Sequence, residues 1–483
     1  MRTMHEGNGL RLPRNDAVAQ LEGIVRMTAA EVAQILGAEV EGNAAVSLIG
    51  AEVDSRRLER GDLFVALPGA RRDGHEFVEA SLEIAAAALV RRDARLTAPP
   101  ADRALVRVDD PLAAYHELAR HEIREHPWRI AAVTGSVGKT TTKDFLAALL
   151  APHFRIGASG ENRNNTLGLP AEILSQDPEI EVFVAEAGMS TPGELTTLGE
   201  ILHPEVLLYT RIAPVHTEFF PDLQGVVRAK AELLPWLRNE GVLVINDDDP
   251  NQEDFASETT ARVVGYGTPS SEARIEQLED RGLLGCGFRL VLPTGEAQVD
   301  LALPGRHQAE NLLAAATAAS AFGVRAEQVA EVAHDLEAPV HRGRVMALED
   351  GISLVDDSYN SSPLAVERLL DLLARAPGRR VAVLGEMYEL GDLSSKAHRR
   401  AGERAAAACD LLIAVGGADA ERIANGAREA GLPDRAIHFS ENADQAAATL
   451  RLLLRAGDVV LIKGSRGVGL DRTVAALTGE EAD

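Results

Sequence analysis

Residues 129–143 read Arg-Ile-Ala-Ala-Val-Thr-Gly-Ser-Val-Gly-Lys-Thr-Thr-Thr-Lys: an apolar run closed by Thr134, two glycines, then a lysine opening a helical pattern. The spacing predicts a strand, a glycine loop and a helix, with the loop at the carboxyl end of the strand. Such a turn cradles a polyphosphate through the N–H groups of Gly135, Ser136, Val137 and Gly138 and the helix N-terminus. Lys139 neutralises terminal phosphate charge, Thr141 extends the polar first turn, and the Thr140 hydroxyl can hold Mg²⁺. The usual pattern has a further glycine where Val133 stands. A glycine-rich turn without a ligand is the alternative; Gly-Lys-Thr-Thr directly after a β-like run favours nucleotide binding.

Composition narrows the partners. At 483 residues the chain is too long for one ordinary core, and about three domains are expected. Seventy-four acids against 49 bases give a net charge of −25, a field that repels nucleic acid. An anionic substrate must therefore be held by local Arg and Lys and by metal. The two cysteines, Cys286 and Cys409, support neither a disulfide framework nor a zinc cluster. With no signal-like or membrane-length apolar run, a cytoplasmic protein without membrane insertion is expected. Residues 1–26 are polar and unpatterned and read as a loosely ordered extension.

From Met27 the chain is patterned. Thr28 is placed to cap a helix through Leu36, 46–53 alternates like one strand, and 78–89 reads as an alanine-rich helix. Ser55 and Arg56 at a strand end suit a phosphate or a uracil edge, and equally a solvated surface turn. A helix over 111–125 closes this part. After the phosphate loop, a loop with Asn162, Asn164 and Asn165 reads either as turn chemistry or as amides for a polar ligand. Glu186 ends a buried-type strand, where ligands gather in parallel sheets. His216 follows the strand over 206–212, as a structural residue or a metal neighbour. Lys230 falls on what reads as the solvated face of a helix over 226–234. Asn311 suits a helix cap as well as adenine recognition. Beyond it, Arg342-Gly343-Arg344 offers guanidinium groups suited to phosphate. Strands over 352–355, 381–384, 411–415 and 459–462 alternate with helices in a second open sheet.

Taken in order, these runs resemble the Mur ligase family. The carriers are Asp54-Ser55-Arg56 with Asp73-Gly74-His75, the phosphate loop with Asn164-Asn165 and Gly168-Leu169-Pro170, then Asp356-Asp357-Ser358-Tyr359-Asn360, Met387-Tyr388-Glu389-Leu390-Gly391 and Lys463-Gly464-Ser465-Arg466. The resemblance spans nearly the whole chain from Met27. It implies an α/β protein of three domains: a small α/β domain over 27–127 that binds a UDP-substrate, a central phosphate-loop ATPase-like, mostly parallel sheet over 128–339, and a C-terminal Rossmann-like sheet over 340–483.

The activity implied is ATP-dependent amide formation through an acyl phosphate, with ATP and Mg²⁺. The Asp356–Asn360 and Met387–Gly391 runs resemble members that join D-alanyl-D-alanine to UDP-N-acetylmuramoyl-tripeptide, and a monomer is expected. By resemblance Thr140, Glu186 and His216 face the metal, and Lys230, carbamylated by CO₂, completes its site, which overturns the solvated reading and calls for a lowered amine pKa. Asn311 would contact adenine, Asp357 the ribose and Arg344 the phosphates, while Ser55, Arg56, Asn165, Asn360 and Ser361 would contact the substrates. The sequence departs from the family pattern at Gln308, Ala231 and the stretch after His216. Rivals are a sister ligase adding one amino acid, a folate-type polyglutamate ligase, and a phosphate-loop ATPase.

Overall fold

The computed structural model describes residues 27–69, 72–160, 162–214, 218–220 and 222–480; the expected extension at 1–26 and His216 lie outside the described residues. The chain falls into two compact units, residues 1–130 with 155–187 and 196–203, and residues 131–154 with 188–195 and 204–483. The division passes through the phosphate-loop strand, Arg129–Thr134.

In the first unit a five-stranded sheet runs in the order Glu39–Gly42, Ala104–Val108, Ala87–Arg91, Asp62–Val65, Gly50–Glu52. All its pairs are parallel except the first. Successive residues of a strand point to opposite faces, so a sheet covered on both sides needs unbroken apolar runs. That is what the residues do: Leu63, Val65, Ala87 and Leu89 enter one buried cluster, while Phe64, Ala66, Ala88 and Val90 enter another. Thr28 caps the helix Ala29–Leu36 in a reciprocal bond with Glu31, and Asp110 caps Pro111–Glu125 through the N–H groups of Leu112 and Ala113.

Two sequence expectations fail here. The helix over 78–89 stops after Val78–Ser81, and the alanines beyond it form the buried strand Ala87–Arg91. Alanine favours helix in isolation, but these positions are fully buried in the middle of a sheet, and burial outweighs a propensity of a few tenths of a kcal/mol. The strand over 46–53 is two strands, Ser47–Leu48 and Gly50–Glu52; between them the Ile49 N–H donates to the Gly61 carbonyl instead of a ladder partner.

In the second unit Arg262–Tyr266, Val242–Asn246, Val206–Tyr209 and the phosphate-loop strand lie parallel in that order. The pair Ile156–Ala158 and Val182–Glu186, in the first unit, is also parallel. An antiparallel sheet of three strands, Arg274–Asp280, Cys286–Leu292 and Gly295–Leu301, accounts for the β-like runs after 261. The last sheet has six strands, ordered Arg344–Ala347, Ser353–Asp357, Val459–Lys463, Arg380–Gly385, Leu411–Val415, Ile437–Ser440. Its first pair is antiparallel and the rest parallel. Val381 and Val383 enter one core and Ala382 and Leu384 the other, again the mark of a sheet buried on both faces. Among the described residues no helix is long and apolar enough to cross a membrane.

Candidate active site

The phosphate loop has the predicted strand, turn and helix. Gly135 takes a φ of 139°, and a Cβ there would collide with the Thr210 hydroxyl. Gly138, at φ 88°, is the N-cap of the helix Lys139–Leu150, which has no side-chain cap. The first intrahelical bond is donated by the Thr142 N–H to the Gly138 carbonyl, at 2.9 Å. The turn before it, carrying Lys139, Thr140 and Thr141, therefore presents amides and a positive dipole end. Val133, where a glycine is usual, is buried inside the strand.

Two loop amides are used differently from the sequence expectation. Ser136 and Val137 both donate to the Arg211 carbonyl, at 2.8 and 3.3 Å, and the Ser136 hydroxyl donates to the Ala213 carbonyl at 2.9 Å. These bonds tie the loop to the segment after Val206–Tyr209, leaving Gly138 onward as the anion-facing part.

Lys230 corrects the solvated-face reading. It lies in the last turn of the helix Leu223–Ala231 with only 2% exposure, its amine 3.5 Å from the Thr134 hydroxyl at the end of the loop strand. A lysine this buried is costly unless its head group is engaged. Its backbone is fixed by a ladder of phenols: Tyr209 donates to the Lys230 carbonyl at 2.7 Å, and Tyr266 donates to the Tyr209 carbonyl at 3.0 Å. Burial pushes both phenols above their ordinary pKa.

Asn311 is not a cap. The helix Arg306–Ala321 begins at Gly305, placing Asn311 in the second turn, where its side-chain oxygen would lie 2.6 Å from a Cβ on Gly138. Its amide donates to Gln308 at 3.2 Å, and Gln308 in turn lies against Gly343. The residue that departs from the family pattern at 308 thus stands between the nucleotide loop and the start of the last domain. Beside it, burial, with Arg368 and Lys463 adding to it, pushes the His307 imidazole down to about 3, so it is neutral at physiological pH.

In the first unit, Glu186 ends its strand almost fully buried, accepting from the Asn164 amide at 2.8 Å. Asn165 closes its own turn, its side-chain oxygen accepting from the Leu167 and Gly168 N–H groups. Ser55 and Arg56 lie on the turn after Gly50–Glu52; the Arg56 guanidinium is 86% exposed and forks onto Asp54. Among the described residues no three His, Cys, Asp or Glu gather as a metal cage. Taken each in its own unit, the Glu186 carboxylate of the first and the Thr140 hydroxyl of the second are oxygen donors of the kind Mg²⁺ takes.

Patterns for two Mur ligase domains match the chain, the middle domain over residues 133–319 and the glutamate ligase domain over 341–466. The chain belongs to the Mur ligase family. A relative from Bacillus subtilis, named UDP-N-acetylmuramoyl-tripeptide–D-alanyl-D-alanine ligase, is 33% identical over 89% of this chain and 93% of its own. Among solved structures, MurF from Acinetobacter baumannii superposes with a TM-score of 0.83 at 26% identity, covering 94% of this chain and 99% of its own. The MurF ligase from Thermotoga maritima, solved in complex with ADP, gives 0.76 at 27% identity over 89% and 96%. The three-domain architecture of the Mur ligases is the one seen here.

In this Mur ligase the last sheet carries the remaining expected residues. Asp357 ends its strand paired with Lys463, whose amine also donates to the Asn360 carbonyl at 2.8 Å. The Asn360 side chain accepts from the Ser361 N–H at 2.8 Å, while the buried Ser361 hydroxyl has no hydrogen-bond partner among the described residues. Arg344 is exposed and pairs with Glu480 at 3.4 Å. Sequence reasoning offered Arg342 to phosphate and missed its stacking: its guanidinium lies 3.9 Å over the Tyr359 ring, with Arg466 5.5 Å from the same ring. It also missed Lys463 as the partner of Asp357; strand-end positions on parallel neighbours were the available signal.

Proposed function

We propose that this chain joins D-alanyl-D-alanine to UDP-N-acetylmuramoyl-tripeptide with ATP, forming ADP and phosphate through an acyl phosphate, in the making of a peptidoglycan precursor. Relatives carrying that name match it almost end to end. The observation in this chain that carries the reading is the helix that starts from Gly138 with Lys139 as its first residue, together with the Lys230 amine buried beside Thr134. A helix N-terminus with a lysine favours charge moving on a phosphoryl group, and catalysis there is positional and electrostatic.

On this reading residues 27–127 bind the UDP-substrate, 128–339 bind ATP and 340–483 bring the dipeptide. Ser55, Arg56 and Asn165 contact the UDP-sugar peptide. The loop from Gly135 to Thr141 holds the phosphates, its Ser136 and Val137 fixing the loop and its part from Gly138 onward facing the anion, with the charge of Lys139 on the terminal group, and Asn311 and Asp357 address adenine and ribose. Arg344 reaches the phosphates only after leaving Glu480, and Asn360 and Ser361 receive the dipeptide, the unpartnered Ser361 hydroxyl being a ready donor. Thr140, Glu186, His216 and a carbamylated Lys230 would hold Mg²⁺, which when bound supplies charge neutralisation on the phosphates. The protein works as a monomer in the cytoplasm.

Phosphate release from ATP and Mg²⁺ with UDP-N-acetylmuramoyl-tripeptide tests this. Release that depends on D-alanyl-D-alanine, with a matching mass gain in the nucleotide product, is expected. Release with a single amino acid would replace the reading by a sister ligase, and release without an acceptor by an ATPase.

A further inference from the structure

Arg163 stands between two asparagines of a loop that reads as turn chemistry, yet it is 6% exposed. Its guanidinium is held by two carboxylates that are as buried as it is: Glu52 at 2.8 Å and Glu172 at 2.9 Å. Burial works against its charge, but the two acids beside it hold its pKa above the ordinary value. Each acid does a second task. The other oxygen of Glu52 accepts from the N–H groups of Val53 and Asp54, at 2.8 and 3.1 Å, fixing the turn that carries Ser55 and Arg56. The other oxygen of Glu172 accepts from the Gly160 N–H at 2.9 Å, fixing the start of the asparagine loop. The residue after Arg163, Asn164, holds Glu186.

We propose that Arg163 is a positioning residue that registers the UDP-substrate turn at 53–56 against the loop that orients Glu186, through its fork between Glu52 and Glu172. The inference rests on the ligase reading for what the two segments bind. Arg163 itself touches neither substrate. Its planar fork spans two carboxylates at once, which the point charge of a lysine does not. The charge balance is uneven, two acids to one base, so removing the guanidinium leaves two buried carboxylates facing each other, and both segments must move to rehydrate them.

The test is Arg163→Lys, with Glu52→Gln as a second variant that keeps an oxygen for the Val53 and Asp54 amides but removes the charge. In steady-state assays with ATP, UDP-N-acetylmuramoyl-tripeptide and D-alanyl-D-alanine, KM for the UDP-substrate should rise about tenfold in both variants. KM for the dipeptide should stay within twofold. Amide hydrogen exchange, read without substrates, should speed up together at 53–56 and 162–168 in Arg163→Lys. Unchanged KM values, a fall in kcat alone, or faster exchange confined to 162–168 would overturn the proposal. If Arg163→Lys does not fold, the same KM pattern in Glu52→Gln decides. A wild-type enzyme that turns over while both variants match it breaks only the Arg163 inference. A wild-type enzyme without dipeptide-dependent release breaks the ligase reading, and the exchange measurement still decides whether the two segments are coupled.

Discussion

Two turns in the larger unit are built alike and are used in opposite ways. At Gly135 a parallel strand ends, φ is 139°, and a helix starts at Lys139; at Gly416 another parallel strand ends, φ is 136°, and a helix starts at Ala418. In the second turn the Glu386 carboxylate accepts from the N–H groups of Gly417, Asp419 and Ala420, at 2.9, 3.1 and 3.3 Å. A Cβ at Gly416 would stand 2.6 Å from that carboxyl carbon. The protein's own acid occupies the anion position there, whereas the first turn carries a lysine at its first helical residue and ties its Ser136 and Val137 amides to the Arg211 carbonyl. Glycine and a helix N-terminus make an anion site possible; whether an internal carboxylate already fills it decides its use.

The strongest break of this contrast is Lys139→Ala, which should lower dipeptide-dependent phosphate release by at least about 10²-fold, as loss of one preorganised charge contact does, with the melting temperature little changed. Lys230→Ala should cost a similar factor of about 10². If its role is to carry a carboxylate, short carboxylic acids added to the assay should restore part of the rate; no restoration would mark the loss as structural damage. At the second turn, Glu386→Ala uncovers three donors and should destabilise by about 1–3 kcal/mol in urea unfolding. Inorganic phosphate should then raise the melting temperature of the variant more than that of the wild type. An equal rise in both would show that filling the turn is not what Glu386 does.

The smallest effect concerns Asp419, on the first turn of the same helix. Burial pushes its carboxyl up, but the Ser394 hydroxyl and Arg422 outweigh that and hold it below the ordinary 3.8. The unfolded chain therefore takes up this proton first as pH falls. The stabilisation is complete above about pH 4 and is lost as pH drops through the folded-state pKa. Asp419→Asn should lower the melting temperature slightly at pH 7, with the gap to the wild type closing as pH falls below 4; a curve parallel to the wild type would exclude the contribution.

What could be read from the sequence follows the range of the forces involved. The phosphate loop was legible because its chemistry is local: strand, glycines, lysine and helix lie within fifteen residues. The sheets were legible because strands buried on both faces must be continuously apolar. The helix at 78–89 was misread because alanine serves both a helix and a crowded buried strand, and only the neighbours decide. Lys230 was misread from periodicity for the same reason: what covers it comes from elsewhere in the chain, and only resemblance pointed to it. Asn311 was misplaced as a cap because Gly305 starts the helix two turns earlier than its alanines suggest. Arg344 and Glu480 are 136 residues apart, and Arg163 and Glu52 are 111 apart, so neither pairing leaves a local trace.

The phenol ladder behind Lys230 also makes the molecule its own optical gauge. The chain has five tyrosines, and burial keeps the protons of Tyr115, Tyr209 and Tyr266 on well beyond the usual range. In an alkaline titration, the ultraviolet absorbance of tyrosinate from these three can rise only when water reaches them. The portion of the signal that arrives late and steeply would therefore time two openings with no label attached, of the helix that carries Tyr115 and of the strands behind Lys230.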